Sequence, residues 1–560
     1  MTRNEVPVLI VGAGPVGMMA ALLLSRLGIQ NRLIERRGEA SRAPAAHVVN
    51  ARTFEICRGA GVDMDALMDL TGDPVDAGRA IWVTRLAGEV VGSLPFERQD
   101  DSVRALTPTP LRNLGQHHFE RVLRESLASQ NAAEIEYGQQ WEEASQEGED
   151  VVSRIRDLQS DELHEIRSQY LIAADGAGSR IRKACGIEMI GPPKLQSFVM
   201  IHFSANLREL VKDHPGILYW LCDPEARGTF VAHDIDGEWV YMLPYDSDTE
   251  AVEDFTPERC KDLVLRAIGD ANPSIEVETV STWTMSAQVA ERFRDDRIFL
   301  AGDAAHRFPP TGGLGLNSGV QDVHGLAWRI AAVLDGWAPD GVLDSYEVER
   351  RAVAQYNADQ SLHNAMKTIE VPQALGVLEE PTTARMQATL DDENGRRRTV
   401  EAIENQAEHF DMLGLQLGYR YASDLVIDDG REPPEVENPV REYRPTTSPG
   451  ARLPHAWIER DGQRISTLDL VTPDAFVLLT STPDPDWALA ANAIDRIPIR
   501  HAAIGRDARD SEGLWKSVCE IEPDGAILVR PDQHIAWRST TKPDDPTGTL
   551  ARALDRLLPT

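Results

Sequence analysis

The chain has few cysteines, no C-x-x-C pair, and far fewer basic than acidic residues. Its five cysteines, Cys57, Cys185, Cys222, Cys260 and Cys519, are scattered along 560 residues, and such an odd, dispersed set predicts a reducing cytoplasm and no metal site. The 57 basic and 90 acidic residues give a net charge of −33, which argues against nucleic acid or an anionic membrane as a partner. A solvated acidic surface is the simpler interpretation of this charge.

Long hydrophobic runs are also lacking. No run is long enough to span a bilayer, and no signal peptide, internal repeat or low-complexity tract is visible. The apolar stretch near residue 10 is interrupted, as a strand followed by an amphipathic helix would be. Because 42% of the residues are hydrophobic, a chain of this length should form two or three domains with sizeable cores.

What the chain does have is a glycine-rich turn between a strand and a helix near its start. Val8–Val11 predicts a buried strand, and Gly12, Gly14 and Gly17 follow at G-x-G-x-x-G spacing. These glycines allow a tight turn, a close approach of the backbone to a pyrophosphate, and close packing of the helix on the strand. The predicted helix Pro15–Leu27 points its N-terminal N–H groups at the phosphates.

An acidic residue completes this dinucleotide pattern. Gly28 ends the helix, Asn31–Ile34 predicts the second strand, and Glu35 stands 18 positions after Gly17. A carboxylate about 20 residues beyond the glycines is expected to bind ribose hydroxyls. The same carboxylate disfavours the 2′-phosphate of NADPH, so the resident dinucleotide is predicted to be FAD, or else NAD. The alternative is a glycine turn in an ordinary α/β domain.

The segment Arg297–Asn317, RIFLAGDAAHRFPPTGGLGLN, predicts the other end of a flavin site. Gly302–Asp303 follows a buried strand, where an aspartate needs partners, and flavin ribityl hydroxyls are suitable ones. The run Pro309–Asn317 is too glycine-rich to be a helix, and a helix is predicted to start near Asn317. Backbone N–H groups there would face the pyrimidine edge of a flavin. A capped helix with a flexible entry loop is the alternative.

The order of strands and helices predicts an α/β protein with a discontinuous first domain. A Rossmann-type FAD-binding domain is predicted over residues 1–75, 105–185 and 285–375, a β-sheet substrate domain over 76–104 and 186–284, a helical connection and linker over 376–449, and a C-terminal domain over 450–560. The middle sheet is inferred from segments rich in β-branched and aromatic residues, such as Ser197–Ser204.

Taken together, the motifs resemble the class A FAD-dependent aromatic hydroxylases, the para-hydroxybenzoate and phenol hydroxylase group. The resemblance covers residues 6–375 and rests on Gly12–Gly17 (GAGPVG), Ala174–Arg182 (ADGAGSRIR) and Ala301–Asp322 (AGDAAHRFPPTGGLGLNSGVQD). Ala43–Ile56 (APAAHVVNARTFEI) and Gly450–Trp457 (GARLPHAW) resemble the phenol and 2,4-dichlorophenol hydroxylase branch. That branch implies an FAD domain of the para-hydroxybenzoate hydroxylase type and a C-terminal thioredoxin-like domain without a redox pair.

The resemblance also implies roles for individual residues. It assigns FAD binding to Gly12, Gly14, Pro15, Gly17, Glu35, Arg36, Arg42, Gln116, Asp175, Gly302, Asp303, Pro310, Gly313, Gly315, Leu316 and Asn317. Asp175 would also serve access of the nicotinamide donor, and Pro310, which would border the flavin ring, is placed among the catalytic residues too. From the residues alone, Asp175 to Ser179 is equally an ordinary strand-to-helix turn, with Ser179 as the N-cap.

The implied reaction is hydroxylation of a phenolic small molecule by FAD, dioxygen, and NADPH or NADH, through a flavin C4a-hydroperoxide. The protein must exclude water and help deprotonate the phenol, so a base or a proton relay is expected. His47 is the candidate base, with a packing histidine as the equal alternative. Arg52 either binds cofactor or pairs with an acid. Both are assigned to the catalytic group.

Several further assignments remain open on sequence grounds. Trp220, His233 and Trp283 are candidate substrate contacts, although such residues are more often core, and His117–His118 is interpreted as surface or helix packing. The alternative substrate is a larger polyketide-type or other secondary metabolite. The rival functions are a flavin reductase or oxidase and a non-enzymatic flavin-binding interaction protein. The C-terminal part is expected to be structural, packing on the flavin-binding body or on the second subunit of a homodimer.

Overall fold

The computed structural model describes residues 4–39, 46–130 and 133–559. The strands, numbered along the described chain, are β1 (Glu5–Val11), β2 (Asn31–Glu35), β3 (Val48–Val49), β4 (Arg79–Val83), β5 (Val90–Pro95), β6 (Arg112–Asn113), β7 (Ile135–Tyr137), β8 (Gln139–Glu147), β9 (Asp150–Asp157), β10 (Leu163–Ala173), β11 (Met189–Ile190), β12 (Gln196–Ser204), β13 (Leu218–Leu221), β14 (Gly228–Asp234), β15 (Glu238–Tyr245), β16 (Glu276–Met285), β17 (Gln288–Ala290), β18 (Arg294–Asp295), β19 (Ile298–Leu300), β20 (His306–Arg307), β21 (Trp457–Arg460), β22 (Gln463–Ser466), β23 (Phe476–Thr480), β24 (Ile499–Ala503), β25 (Ala526–Val529) and β26 (Ile535–Ser539).

The helices are numbered in the same way. They are α1 (Pro15–Arg26), α2 (Ala51–Gly59), α3 (Met64–Met68), α4 (Pro74–Ala77), α5 (Gln116–Ser129), α6 (Arg180–Ala184), α7 (Arg208–Val211), α8 (Pro257–Ile268), α9 (Leu314–Leu334), α10 (Asp344–Lys367), α11 (Glu370–Ala374), α12 (Thr383–Asp391), α13 (Glu393–Glu404), α14 (Leu413–Leu417), α15 (Pro485–Asn492), α16 (Leu514–Val518) and α17 (Pro546–Leu557). Over the described residues, every helix is too short or too polar to cross a membrane.

The first sheet is built around the strand that precedes the glycine turn. β1 pairs in parallel with β2 on one side and β10 on the other, and β10 pairs in parallel with β19. Val8, Leu9 and Ile10 are fully buried, as continuous apolar residues in a parallel strand with both faces covered should be. The strand order β19-β10-β1-β2-β7 brings the carboxyl ends of β1, β10 and β19 together. The three motifs, which begin directly after these strands at Gly12, Ala174 and Ala301, therefore lie along one edge of the sheet.

A second, mostly antiparallel sheet of seven strands has the order β16-β12-β15-β14-β13-β4-β5. Alternate side chains of β12 are buried, which is the period of two expected when only one face packs on a core. Tyr219, Phe230, Trp239 and Tyr241 fill the core between one face and α8. The other face packs against residues of α11, α12 and α13 and against Phe410, so it lies inside the molecule too.

The C-terminal sheet has the strand order β24-β23-β25-β26, in which β23 is parallel to β24 and antiparallel to β25. α15 connects β23 to β24, and α17 follows β26. This is the thioredoxin-like arrangement that the resemblance implied. Cys519 is buried as a free thiol, and no second cysteine lies in this part of the chain, so dithiol chemistry is absent from it.

A buried ionic network joins the C-terminal part of the chain to α2 and α10. Arg530 donates to Oε1 and Oε2 of Glu349 at 2.5 and 2.8 Å, and Arg452 donates to Oε2 and Oε1 of Glu55 at 2.8 and 2.5 Å. The side chains of these four residues are at most 1% exposed. Charges buried this deeply need their partners, so the C-terminal part is built into the molecule. The domain boundaries themselves stay a prediction.

Candidate active site

The glycine turn forms a cradle at the end of β1. A Cβ built on Gly12 would lie 2.2 Å from the Ala174 oxygen, and one built on Gly17 would lie 1.9 Å from the Gly12 oxygen. Gly12 also has φ +105°, so this turn requires glycine at both positions for close packing. By contrast, a Cβ on Gly14 would meet no atom within 4 Å. The side of the turn at Gly14 is therefore accessible to a ligand.

The residues around this cradle match a dinucleotide's polarity. Pro15 is the first residue of α1, and the N-cap residue Gly14 has no side chain to accept a hydrogen bond from the first turn. The N–H groups at this end of the helix therefore stay available for an anion. Glu35 accepts hydrogen bonds from the N–H of Ala13 and Arg37, each at 2.9 Å. Arg36 is exposed beside it. Arg42, also predicted to bind cofactor, lies outside the described residues.

The second motif lies directly beside the first. The helix α9 packs on α1, and a Cβ on Gly319 would lie 2.5 Å from Cγ2 of Val16 and 3.0 Å from Cα of Gly302. Gly302 itself has φ +60°. Asp303 is exposed on this turn, and its carboxylate accepts no hydrogen bond from the described residues. Desolvation by the surrounding protein raises the pKa of Asp303. Because the side chain is still accessible from outside the protein, the hydroxyl groups of a ligand could donate to its carboxylate.

Asp322, on α9, holds the Gly302 turn in place. Its Oδ2 accepts from the Gly302 N–H at 3.1 Å and lies 2.7 Å from Nε2 of His306, while Oδ1 accepts from Arg350 at 2.8 Å. Burial by itself raises the pKa of Asp322, but His306 and Arg350 outweigh it and leave the pKa lowered. His306 is fully buried and therefore points inward and supports the turn.

The glycine-rich loop after Phe308 begins its helix earlier than predicted. α9 starts at Leu314, with Gly313 as an N-cap at φ +62°, so the expectation that Pro309–Asn317 is non-helical and that the helix starts near Asn317 was wrong. The left-handed Gly313 starts the helix three residues early. A Cβ on Gly313 would lie 2.6 Å from Cβ of Val48. A Cβ on Gly315, inside the first turn of the helix, would meet no atom within 4 Å.

Asn317 connects this helix to β3. Its amide nitrogen donates to the carbonyls of Val48 at 2.9 Å and Gly313 at 2.6 Å, and its oxygen accepts from Asn50 N–H at 2.9 Å and from Thr53 Oγ1 at 2.7 Å. The side chain is therefore fully used inside the protein. Of the other predicted ring contacts in this motif, Pro310 is exposed at the loop and Leu316 is half-buried.

Asp175 follows β10, and Gln116 is the first residue of α5, which packs on α1. Asp175 Oδ2 accepts from the N–H groups of Arg180 and Ile181 at 2.8 and 3.4 Å, while Oδ1 is buried without a hydrogen-bond partner in the described chain. Burial raises the pKa of Asp175. Ser179 accepts from Arg182 N–H at 3.0 Å, as an N-cap. Gln116 begins α5 and is bound to Ala46 through its backbone N–H at 2.8 Å.

His47 lies beside a cluster of aromatic side chains, Phe96, Phe410, Trp82 and Trp220, which form the candidate substrate pocket. Its Nδ1 lies 3.1 Å from Oδ1 of Asn113, and its ring centroid is 5.8 Å from that of His233 and 6.1 Å from that of Phe96. Burial lowers the pKa of His47, although the hydrogen bond to Asn113 opposes this. Burial, followed by the neighbouring His47, lowers the pKa of His233 to about 3. Both rings are therefore neutral at pH 7.

The pocket continues along the inner face of the seven-stranded sheet. Phe96 is 6.0 Å from Phe410, Phe410 is 5.7 Å from Trp82, and Trp82 stacks on Trp220 at 6.2 Å. The Nε1 of Trp220 is buried and has no hydrogen-bond partner among the described residues. The ring of His409 lies 5.9 Å from that of Trp220. Such a row of aromatic faces with one orphan donor suits an aromatic ligand that carries an oxygen.

Two predicted residues do not join this pocket. Trp283 lies on β16, at the edge of the sheet opposite β4 and β5, with Phe198 as its aromatic neighbour at 5.9 Å. Arg52 is fully buried and donates to Glu55 at 3.0 Å, to Gln533 at 2.6 Å and to the Asp532 carbonyl at 2.9 Å. Of the two roles that the sequence left open for Arg52, the contacts favour pairing with an acid.

Sequence reasoning missed Asn113, Phe96, Phe410 and Glu97. Phe96 and Phe410 come from segments with no motif, and Asn113 is 66 positions from His47, so only the fold brings them together. Glu97 is buried at φ +55° with its Oε2 accepting from Met412 N–H and Gln416 Nε2, each at 3.1 Å. Burial raises the pKa of Glu97 to about 8.

The site thus fits a flavin dinucleotide on three observations. The Gly14 side of the turn is open, the Asp303 carboxylate has no hydrogen bond from described residues, and Asp175 Oδ1 is an orphaned buried acceptor. Each lies at one of the three strand ends that meet at the edge of the first sheet, which is where ligands bind in such folds.

Comparison with known proteins agrees with this geometry. Residues 5–361 match the family described as FAD binding domain, and residues 446–560 match the family described as aromatic-ring hydroxylase, C-terminal. The chain is 32% identical to a 2,4-dichlorophenol 6-monooxygenase of Cupriavidus pinatubonensis, over 99% of this chain and 96% of that one. It is 34% identical to aklavinone 12-hydroxylase RdmE of Streptomyces purpurascens, over all of both chains.

Solved structures of similar proteins cover the same length. The flavin-dependent monooxygenase PieE, in complex with FAD and substrate, is 34% identical with a TM-score of 0.92, covering 99% of this chain and 100% of that one. Aklavinone-11 hydroxylase, in a ternary complex with FAD and aklavinone, is 32% identical with a TM-score of 0.79, covering 100% of both. Each alignment therefore includes both the region matched as FAD binding domain and the C-terminal region.

Proposed function

Since this chain belongs to the FAD-dependent aromatic-ring hydroxylases and is an NAD(P)H-using monooxygenase, we propose that it hydroxylates a phenolic ring held in the pocket between His47 and Trp220. The single observation that carries this proposal is the continuous row of aromatic rings, Phe96, Phe410, Trp82 and Trp220, which begins beside the neutral, half-buried His47. A phenol there would have apolar faces around its ring and a basic nitrogen near its hydroxyl group.

When bound, FAD would supply the redox chemistry of the reaction: electrons from the nicotinamide donor would activate dioxygen, which is the source of the transferred oxygen atom. The residues of this chain would hold it along the groove. The turn at Gly14 and the N-terminus of α1 would bind the pyrophosphate, and Glu35 the ribose. Asp303 would accept hydrogen bonds from the ribityl hydroxyls, and Gly315, at the first turn of α9, would present backbone N–H to the ring.

His47 would take the phenolic proton. A general base must be unprotonated at working pH and within hydrogen-bond reach of its proton. Burial lowers the pKa of His47, so the ring is ready to accept. The Asn113 side chain, 3.1 Å from Nδ1, would orient the ring and leave Nε2 for the substrate.

The hydrophobic surroundings would protect the reaction from water. Phe96, Phe410 and Trp82 are each at most 5% exposed, and a dry site keeps the activated oxygen from decaying to hydrogen peroxide. The orphan Nε1–H of Trp220 would donate to an oxygen at the far end of the substrate, because an unpartnered buried donor is costly. This favours a substrate with a second polar group remote from the hydroxylated carbon.

A larger, polycyclic substrate is the second candidate. Relatives of equal similarity include both a dichlorophenol monooxygenase and the aklavinone hydroxylase, so similarity alone favours neither class. The length of the aromatic row favours the larger one: from His47 it passes through Phe96, Phe410 and Trp82 to Trp220 in four successive ring contacts of 5.7–6.2 Å. A single phenol ring would contact only part of this row.

Steady-state turnover with two matched probes tests the substrate class. The purified FAD-loaded protein is given 2,4-dichlorophenol or the tetracyclic aklavinone, with NADH or NADPH, and products are identified by mass spectrometry. Hydroxylated product from aklavinone at higher kcat/KM, lost in Trp220→Phe, supports the polycyclic class. Product from dichlorophenol alone, insensitive to Trp220→Phe, supports a small phenol. No hydroxylated product from any phenol would refute the assignment of the pocket.

A further inference from the structure

Outside the flavin groove and the aromatic row, a cluster of imidazoles surrounds one carboxylate. His117 and His118 lie in the first turn of α5, His202 on β12, and Glu238 at the start of β15. His233, on β14, stands behind them, on the side of His47. The cluster therefore lies where α5 meets the seven-stranded sheet.

The distances within the cluster are those of a metal-ligand set. Glu238 Oε1 lies 3.2 Å from His202 Nε2, and Oε2 lies 3.7 Å from His117 Nε2. One ligand atom each of His117, His118 and Glu238 lie within 4.8 Å of one another. A tetrahedral zinc ion with bonds of about 2.0–2.1 Å separates its ligand atoms by roughly 3.4 Å. The separations of Glu238 from His202 and from His117 are close to that spacing.

The ring nitrogens that face the carboxylate are the Nε2 atoms of His117 and His202. Their Nδ1 atoms point away from Glu238 and are buried with no hydrogen-bond partner in the described chain. A metal ion would therefore be bound through Nε2, by neutral imidazoles and an ionised carboxylate.

We propose that His117, His118, His202 and Glu238 bind one divalent transition-metal ion of the zinc type, which ties α5 to the seven-stranded sheet. A ligand set dominated by imidazole selects zinc and its neighbours over magnesium or calcium. The strongly acidic chain also raises the local concentration of cations. The spacing in the sequence conceals this site, because the ligands come from three separate elements, and the sequence accordingly predicts no metal.

The metal would act as a structural tie and not as a reaction centre. A Cβ built on Gly115 would lie 3.0 Å from His117 Nδ1 and 3.6 Å from His233 Nδ1, so the two rings converge on Gly115. His233 thus stands between the cluster and His47. An ion held by His117 and Glu238 would fix the position of His233's strand against α5 without reaching the aromatic row.

Calorimetric titration of the full-length, FAD-loaded protein with zinc chloride, after treatment with a chelator and dialysis, tests this site. One equivalent of zinc should bind with micromolar or tighter affinity, and magnesium chloride should give no binding. His118→Ala and Glu238→Gln should each weaken zinc binding by tenfold or more, since each removes a ligand. His363→Ala is the matched control, because His363 faces a single carboxylate, Glu408, at 3.9 Å, and should bind zinc as the wild type does.

A second readout covers a variant that folds poorly. Zinc should raise the melting temperature of the wild type and of His363→Ala but not that of His118→Ala, because a ligand that binds only the folded state stabilises it. The proposal is overturned if the wild type binds no zinc. It is equally overturned if His118→Ala and Glu238→Gln bind zinc with wild-type affinity, since the ion would then sit elsewhere.

Discussion

Glu97 accepts a hydrogen bond from the backbone N–H of Met412 at 3.1 Å, and this contact ties the end of β5 to the segment that closes the aromatic pocket. Met412 in turn lies against the flavin loop, since a Cβ on Gly312 would be 2.4 Å from its Cε. Glu97 is a left-handed residue, at φ +55°, next to the pocket residue Phe96. The pocket and the flavin loop are thus connected through one buried carboxyl group.

Glu97→Gln should flatten the pH dependence of stability between about pH 5 and pH 8. Burial raises the pKa of Glu97 from 4.5 to about 8, so the fold favours the protonated form. The stability this group contributes is fully present below the unfolded pKa and is lost as pH rises through the folded one. Glutamine mimics the protonated form, and the variant should gain a few kcal/mol over the wild type across this window, at about 1.4 kcal/mol per pKa unit.

Urea unfolding of both proteins at pH 5, 6.5 and 8 measures this difference. Groups common to the two proteins cancel in the comparison, so the free energies of unfolding should diverge as pH rises. Parallel curves would mean that Glu97 is ionised in the folded protein, and that its contacts with Met412 and Gln416 are those of a carboxylate.

Asp303→Ala should weaken FAD binding more than Glu35→Ala does. Asp303 accepts no hydrogen bond from described residues, whereas Glu35 already accepts from Ala13 and Arg37 N–H. A hydrogen bond to a charged group contributes about 1.5–3 kcal/mol, which corresponds to roughly tenfold or more in Kd. Fluorescence titration of the apoprotein measures the change, with Asp359→Ala on the exposed face of α10 as control. Unchanged affinity in Asp303→Ala would place the ribityl chain elsewhere.

His47→Gln should slow hydroxylation by 10²-fold or more at pH 7 with flavin content intact, because a positioned base typically contributes about 10²–10⁴-fold. The loss should shrink as pH approaches the phenol's own pKa, near 10 for a tyrosine-like ring, where no base is needed. Single-turnover oxidation of the reduced enzyme in the presence of substrate measures the step. His164→Gln, on β10, is the control histidine. A pH-independent loss would indicate that His47 only shapes the pocket.

Arg530→Met should destabilise the whole protein and not only its C-terminal part. The substitution leaves Glu349 and Asp532 buried with one fewer positive partner, and breaking a buried ion pair from one side costs about 3–5 kcal/mol. Cys519→Ser is the matched change in the same C-terminal part, since the Cys519 side chain makes only weak contacts to the Lys516 and Ile521 carbonyls at 3.8 and 3.9 Å. Denaturant unfolding followed by flavin fluorescence and by circular dichroism should show one shifted transition for Arg530→Met. Two separate transitions would contradict it.

The first motif was predictable almost residue by residue because its signals are local. The strand ends at Val11, the helix begins at Pro15, and the second strand ends at Glu35, as glycine spacing and apolar runs predict. The start of α9 at Leu314 was not, because a left-handed Gly313 can cap a helix that the composition of the loop disfavours. Nor could the sequence reveal the break between α2 and α3, where Gly61 at φ +71° turns the chain.

The pocket depended on contacts between distant segments. His47 and Trp220 were chosen by residue type, but their partners Asn113, Phe96 and Phe410 carry no motif, and only the pairing of β3 with β6 and the packing of 407–412 on the sheet brings them together. Arg52 lies next to a motif and still points away from it, toward Gln533. Periodicity predicts which face of an element is buried, but not which remote charge will meet it.

The most direct test of the central claim is turnover of the purified FAD-loaded protein under ¹⁸O₂ with a polycyclic phenol and NADPH or NADH. The account predicts that the aromatic substrate stimulates oxidation of the nicotinamide and that one ¹⁸O atom enters each hydroxylated product. Oxidation of the nicotinamide at the same rate with or without the aromatic compound, yielding hydrogen peroxide and no labelled product, would contradict it.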